Sequence, residues 1–291
     1  MTWKYAIATI VGALMVGFVW LQPVSVSFLK YLIWACSAST KTEKGSIEFR
    51  GAHIHYVAYG QGEPVLLLHG GLSNKLSWFA QIPWLVASGR RVVLIDTRGH
   101  GDSTLGDAEL NYHVFAEDTL QVLDRLEIKR TDIIGWSDGG IIALILGREA
   151  PERVGCIVAI SANFQPSGLQ FSAAEAHDQA RSTFKNKIIA WLQNRWSGAV
   201  KNDELLVEKI NTLWQTAPQF EHADLQAIVA PTLVVAGEYD VIDPDHTIEL
   251  ARNLANSKLE IVMWAGHSAH ISHAAKVNPL IAEFLNIPRP I

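Results

Sequence analysis

The sequence has few cysteines, few charges and no recognisable metal-binding pattern. Its 291 residues include two cysteines, Cys36 and Cys156, which are too few for a disulfide framework. No C-x-x-C or H-E-x-x-H pattern occurs, so the sequence does not predict a dedicated metal site. Charged residues make up 18% of the chain and the net charge is −5. This balance argues against nucleic acid as a partner.

The amino end is more apolar than the rest of the chain. From Tyr5 to Leu21 there is no charged residue, although this run is slightly shorter than the roughly 20 residues of a bilayer-spanning helix. Pro23 interrupts it, and a second apolar stretch from Val24 to Cys36 carries only Lys30. We favour an uncleaved membrane anchor. A cleaved secretory signal and an apolar helix packed on the following domain are the alternatives.

These patterns divide the chain into three parts. Residues 1–36 are predicted to be the anchor or signal segment, and the polar residues 37–46 a linker. Residues 47–291 form the predicted domain. We expect it to be membrane-anchored on the periplasmic or extracellular side, and the alternative is secretion after cleavage of the signal. We therefore expect a chain that lacks residues 1–36 to fold and to retain its activity.

The remaining sequence alternates buried strands with helices. The continuous apolar run Pro64–Leu68 is typical of a strand covered on both faces, and Arg91–Asp96 is predicted to be the next buried strand. This alternation predicts an α/β fold with a mostly parallel sheet and helices on both faces. Between residues 163 and 223 no buried strand is predicted. Helical segments rich in Trp and Phe, at Ser172–Arg181, Phe184–Trp196 and Asp203–Trp214, indicate a helical lid there.

One pentapeptide carries the strongest chemical signal. Residues Gly135-Trp136-Ser137-Asp138-Gly139 fit G-x-S-x-G between an apolar strand and an apolar helix. A serine on such a turn is exposed at the sheet edge, and the small flanking residues avoid clashes there. The helix amino terminus also favours negative charge at this point. Ser137 is therefore the candidate nucleophile.

Together with this turn, four further motifs resemble the α/β-hydrolase superfamily over residues 47–285. They are His69-Gly70-Gly71, Asp96–Ser103, Gly237–Asp240 and Ala265–Ser268, each following a predicted strand. The resemblance implies the α/β-hydrolase fold and hydrolysis of a small carboxylic ester through an acyl-enzyme, without a cofactor. The hexapeptide Gly135–Gly140 is similar to the branch that contains valacyclovir hydrolase, in which the acid after the nucleophile binds the substrate's α-amino group.

The resemblance also implies roles for individual residues. The order Ser, Asp, His along the chain makes Ser137, Asp240 and His267 the catalytic triad. His270 and His273 are rival bases. Two further acids, Asp243 and Asp245, rival Asp240, although their position before a helix favours capping.

The oxyanion hole requires two N–H donors. One is predicted at Asp138, and the other at Gly71, with Leu72 as its neighbour. Asp138 and Trp136 are the predicted substrate-binding residues. An acid beside the oxyanion hole is unfavourable unless it faces a cation, which favours an amino-acid ester, although Asp138 also suits the start of a helix. An aromatic ester is the other substrate class that we consider.

Three other functions remain open. The late Gly237–Ile242 segment also suits carbon–carbon bond hydrolases. A non-hydrolytic ligand-binding protein and a scaffold on the same fold are the alternatives outside catalysis. Serine at position 137 argues against dehalogenases and epoxide hydrolases, because both use aspartate there.

Overall fold

The computed structural model describes residues 24–37, 40–170 and 204–290. Within them the chain forms an eight-stranded sheet in the order β1-β2-β4-β3-β5-β6-β7-β8. Strands β1 and β2 are antiparallel to their neighbours, and the others are parallel. The strands are β1 Thr42–Phe49, β2 Ala52–Tyr59, β3 Pro64–Leu68, β4 Arg91–Ile95, β5 Thr131–Trp136, β6 Val154–Ile160, β7 Thr232–Tyr239 and β8 Ser257–Gly266.

The helices cover both faces of this sheet. On one face lie α3 Tyr112–Arg125, α4 Asp138–Glu149, α5 Glu204–Thr216, α6 His222–Gln226 and α7 Pro244–Asn253. On the other face lie α1 Val24–Ser37, α2 Ile82–Ala87, α8 Ala269–Ser272 and α9 Ala274–Phe284. Three-residue to four-residue 3₁₀ turns occupy Lys75–Trp78, Pro151–Arg153 and Pro166–Gly168.

Strand β3 shows why the apolar runs lie between two helical layers. Val65 and Leu67 point into the core on the α2 side, whereas Leu66 and Leu68 point into the core on the α4 side. All four side chains are fully buried. A strand with both faces buried has no polar alternation, so the continuous run in the sequence is a direct consequence of this position.

Six strands end at the same edge of the sheet, which we call the carboxyl edge. It is formed by the ends of β3 to β8 at Leu68, Ile95, Trp136, Ile160, Tyr239 and Gly266. The loops that follow these residues contain most of the motifs identified in the sequence.

Helix α1 packs on the domain. Phe28 makes an edge contact with Phe79, and Trp34 makes one with Tyr59, each with ring centroids 5.3 Å apart. Val24 and Tyr31 are buried. Residues 24–36, which the sequence assigned to the anchor or signal segment, therefore contribute to the domain's apolar packing. Among the described helices, none is long and apolar enough to cross a membrane.

The predicted linker is shorter than expected. Strand β1 begins at Thr42, so residues 42–46 pair with β2 instead of forming a flexible connection. Its exposure alternates residue by residue, but Lys44 and Ser46 are polar, and no apolar alternation marked the first half of this strand. Of the predicted lid segments, the last lies in the described part and forms α5. This helix ends at Thr216, two residues beyond the predicted end at Trp214. The segments Ser172–Arg181 and Phe184–Trp196 lie outside it.

Candidate active site

Ser137 lies on a strained turn between β5 and α4. Its backbone has φ 53° and ψ −120°, a conformation that costs a non-glycine residue free energy. A Cβ built on Gly139 would lie 2.1 Å from the carbonyl oxygen of Leu68, and one built on Gly135 would lie 2.1 Å from that of Gly139. Glycine is therefore required on both sides of the serine because backbone fills the space.

The three predicted triad residues are brought together at the carboxyl edge. The Nε2 atom of His267 is 3.0 Å from Ser137 Oγ, and its Nδ1 atom is 2.7 Å from Asp240 Oδ1. Ser137 follows β5, Asp240 follows β7, and His267 follows β8. The Asp240 side chain is nearly fully buried, while that of His267 is partly exposed. This is the hydrogen-bonded arrangement needed for a base to receive a serine proton.

Asp240 is held as a carboxylate. Burial alone would raise its pKa, but the neighbouring His267 and the hydrogen bonds to the carboxyl group outweigh burial and lower the pKa. Ser161 Oγ donates to Asp240 Oδ2 at 2.6 Å, and the Ile242 amide donates to Oδ1. Ser161 had no signal in the sequence beyond its position directly after β6.

The rival histidines occupy different environments. His270 is fully buried, with its ring 4.7 Å by centroid from both Trp78 and Trp136. Burial, together with the charge of His267, lowers the pKa of His270 to about 3 and keeps the imidazole neutral. His273 Nδ1 lies 2.9 Å from Ser272 Oγ. In this structure the histidine that contacts both Ser137 and Asp240 is His267.

The rival acids lie at the start of α7. Asp243 Oδ1 accepts hydrogen bonds from the amides of Asp245 and His246, which is the geometry of a helix cap. The Asp245 amide takes part in the same cap. The capping role that the sequence favoured for this segment matches these contacts.

The loop after β3 lies against the amino end of α4. A Cβ built on Gly71 would be 2.5 Å from Asp138 Oδ2 and 2.7 Å from a ring carbon of Trp214. The Leu72 amide donates to His100 Nε2 at 3.0 Å, so it is already engaged. Burial lowers the pKa of His100 to about 3, which keeps this ring neutral and able to accept. Between the two loop residues, Gly71 is therefore the better candidate donor.

Asp138 is a buried acid beside the nucleophile. Its Oδ1 atom accepts hydrogen bonds from Tyr112 Oη at 3.0 Å and from Trp214 Nε1 at 2.9 Å. Its Oδ2 atom is buried without a hydrogen-bond partner. Burial raises the pKa of Asp138 from 3.8 to about 6, against the lowering effect of the two donors and of His267. The side chain does not cap α4, although it lies in its first turn.

Trp136 connects the turn that carries Ser137 to the loop that carries His267. Its indole Nε1 donates to the carbonyl oxygen of His267 at 2.9 Å, and its ring lies 5.7 Å by centroid from the His267 ring. The sequence assigned Trp136 to substrate binding, whereas these contacts connect it to the loop that carries His267. Tyr112 and Trp214, which contact Asp138, were not identified from sequence, because they lie 26 and 76 residues away from it.

Comparison with known proteins places the chain in one family. Residues 65–280 match the model described as the alpha/beta hydrolase family, and the chain belongs to that family. A 2-hydroxy-6-oxo-6-phenylhexa-2,4-dienoate hydrolase from Burkholderia cepacia is 30% identical over 84% of this chain and 94% of its own. The serine hydrolase BPHL from Mus musculus is 27% identical over 84% of this chain and 87% of its own.

A solved structure agrees with this assignment. An N-acyl homoserine lactone degrading enzyme superposes with a TM-score of 0.70 and 27% identity, covering 82% of this chain and 100% of its own. The superfamily that the sequence motifs indicated is thus confirmed.

Among the described residues, no group of three or more His, Cys, Asp or Glu side chains is arranged to hold a metal ion.

Proposed function

We propose that the protein is a serine hydrolase that cleaves a small carboxylic ester through an acyl-enzyme. The observation that carries this proposal is the continuous hydrogen-bonded chain from Ser137 through His267 to Asp240. Ester chemistry agrees with the lactone-degrading neighbour, since a lactone is a cyclic ester.

In the proposed reaction Ser137 Oγ attacks the ester carbonyl carbon while His267 Nε2 removes its proton. The amides of Gly71 and Asp138 stabilise the oxyanion, and the first amide of α4 has no acceptor within its helix. His267 then protonates the departing alcohol, leaving the acyl group on Ser137. Water, deprotonated by the same histidine, releases the acid and restores the serine. Asp240 orients the imidazole and stabilises its charged form.

We propose further that the preferred ester bears an amino group on its acyl half. Asp138 has a buried carboxylate oxygen without a partner, next to Gly71 in the loop that faces the nucleophile. A substrate ammonium at this oxygen would supply the missing partner and favour the ionised carboxylate. Trp136 would form an aromatic side of the pocket. An aromatic ester would pack against this side chain.

Cleavage of a carbon–carbon bond is the second candidate. The dienoate hydrolase from Burkholderia cepacia supports it, because it is 30% identical to this chain. A dienoate substrate is an anion, and an ionised Asp138 would repel an anionic group placed against it. The buried acid therefore favours the ester over the dienoate. The non-hydrolytic binding and scaffold functions lack a supporting contact of this kind.

Two features of the chain outside the triad complete the proposal. We propose that residues 1–23 anchor the protein in a membrane, because Tyr5–Leu21 carries no charge. We also propose that α5, the described part of the predicted lid, covers the pocket. Its contact with the site is the hydrogen bond from Trp214 to Asp138.

The test is a panel of purified proteins on p-nitrophenyl acetate, an amino-acid ester and the dienoate, with Ser137→Ala as the blank. Wild-type protein should cleave the esters and react with a fluorophosphonate probe, and the variant should do neither. Cleavage of the dienoate alone would favour the second candidate. Failure of the wild type to cleave any substrate or to react with the probe would favour a binding protein.

A further inference from the structure

The direction of α1 relative to the sheet fixes where the chain enters the domain. Phe28 lies on Phe79, which follows the loop at the end of β3, on the carboxyl edge. Trp34 lies on Tyr59, which pairs with Val92 at the opposite edge, where β4 starts. The helix therefore runs from the carboxyl edge to the opposite edge, and its first residue, Val24, lies at the level of the site.

A second group of exposed apolar side chains belongs to β7 and β8, the last two strands in the sheet order. Trp264 near the end of β8 is 61% exposed, and its ring lies 6.1 Å by centroid from that of Tyr239, which is 36% exposed. Met263 beside them is 49% exposed. Tyr239 is the last residue of β7 and Trp264 lies two residues before the end of β8, so these side chains lie near the carboxyl edge. Trp and Tyr are the side chains most enriched at membrane–water interfaces.

These two features lie on either side of Ser137. Helix α1 packs near β2 and α2, the apolar side chains belong to β7 and β8, and β5 lies between them in the sheet order. We infer that the carboxyl edge, from Val24 to Trp264, lies against a lipid bilayer and that the ester substrate is drawn from it. The inference rests on the proposed hydrolase function and on the proposed anchor.

The partner is a bilayer because of the chain that precedes α1. The uncharged run Tyr5–Leu21 precedes α1 in the chain, with only Gln22 and Pro23 between it and Val24. Because α1 is packed on the domain, the point at which that run meets the domain is fixed at this edge. A bilayer that holds the run therefore also faces the site. The substrate class that follows is an ester whose alcohol half is a lipid, and whose acyl half is small enough to reach Ser137.

The structure offers a matched control for the exposed apolar side chains. Val229 is 65% exposed and lies three residues before β7 begins, on the edge opposite the site. Trp264→Ser and Val229→Ser therefore each remove one exposed apolar group, on opposite sides of the domain. Met263→Ser is a second variant at the carboxyl edge.

The experiment uses the full chain reconstituted in phosphatidylcholine vesicles and two esters with the same acyl half. Alanine ethyl ester is soluble, and alanine hexadecyl ester stays in the vesicle. Trp264→Ser should lower turnover of the hexadecyl ester about tenfold, as loss of one aromatic side chain from the contact with the bilayer implies. Turnover of the ethyl ester should be unchanged, which also shows that the variant is folded. Met263→Ser should show a smaller selective loss, and Val229→Ser none.

Four results would overturn the inference. The first is equal hexadecyl-ester turnover in Trp264→Ser, Val229→Ser and the wild type. The second is an equal loss on both esters for Trp264→Ser and Met263→Ser, which would indicate a structural role. The third is a change in the oligomeric state of Trp264→Ser while its turnover of the hexadecyl ester in vesicles stays intact. That result would make the partner a second copy of this chain. No turnover of either ester by the wild type would instead remove the hydrolase function itself, and this inference with it.

Discussion

Asp138 Oδ1 accepts the indole N–H of Trp214 at 2.9 Å, which joins the residue after the nucleophile to a helix 76 residues further along the chain. Tyr112 donates to the same oxygen from α3. Two donors on one oxygen leave the other oxygen without a partner. The protein thus orients the carboxylate through one oxygen, and the other is buried with no hydrogen-bond partner among the described residues.

The first prediction concerns this oxygen. Asp138→Asn keeps the side-chain shape and the backbone N–H, but removes the charge. Turnover efficiency (kcat/KM) on an α-amino-acid ester should fall by about 10- to 100-fold, as for loss of a partly desolvated ion pair. Efficiency on the des-amino ester should stay level or rise. An equal fall on both esters would assign Asp138 to the structure of the helix start, and a wild type without preference for the amino ester would remove the amine-binding role.

The second prediction follows from the raised pKa of Asp138, about 6 in the folded protein against 3.8 ordinarily. Between these values the folded state binds more protons than the unfolded state, so this group's contribution to stability falls as pH rises, and is constant above the window. Asp138→Asn has no titrating carboxyl group at this position, so it lacks this fall in stability with rising pH. The unfolding free energy of the variant minus that of the wild type should therefore increase by about 2 kcal/mol from pH 4 to pH 7.

Urea unfolding at several pH values measures this difference. A difference that does not change with pH would show that the carboxyl titrates alike in both states. An ammonium ligand should reduce the difference at pH 7, because it stabilises the ionised wild type and not the variant.

The third prediction separates the histidines. His267→Ala and Asp240→Ala should each lower ester turnover by several orders of magnitude, and the double variant should lose little more, since the residues act as a unit. His270→Phe keeps a ring between Trp78 and Trp136, so it should retain most of the activity. Normal turnover by His267→Ala together with loss in His270→Ala would reassign the base.

The fourth prediction corrects the expected effect of shortening the chain. Removing residues 1–23 leaves α1 in place and should leave the domain stable and active. Removing residues 1–37 strips Tyr31 and Trp34 from the sheet, and should lower the unfolding free energy on the order of 5 kcal/mol. Thermal melting of both truncated proteins gives the comparison. Equal melting temperatures would mean that α1 adds nothing to the domain.

Much of the fold was readable from sequence because its signals are local. A fully buried strand such as β3 must be apolar throughout, and a glycine such as Gly139 is required where the Leu68 backbone approaches. Both requirements appear in the sequence as short motifs. The start of β1 was missed because its first residues are polar and lie on an edge strand, where little apolar surface is buried.

The surroundings of the acid were not readable in the same way. Nothing near Tyr112 or Trp214 in the sequence indicates a partner at Asp138, because the contact depends on how α3 and α5 lie over α4. Ser161 likewise meets Asp240 only through the adjacency of β6 and β7. Strand order determines such contacts, and strand order is a property of the whole sheet.

The hydrogen bond between Trp214 and Asp138 also gives the protein an optical probe of its own pocket. Indole emission responds to nearby charge, and this indole N–H ends on the oxygen of a group whose charge changes near pH 6. The chain has ten tryptophans, so the difference between wild type and Trp214→Phe isolates this one. Its fluorescence can therefore follow an amine arriving at Asp138 under conditions in which no ester is cleaved.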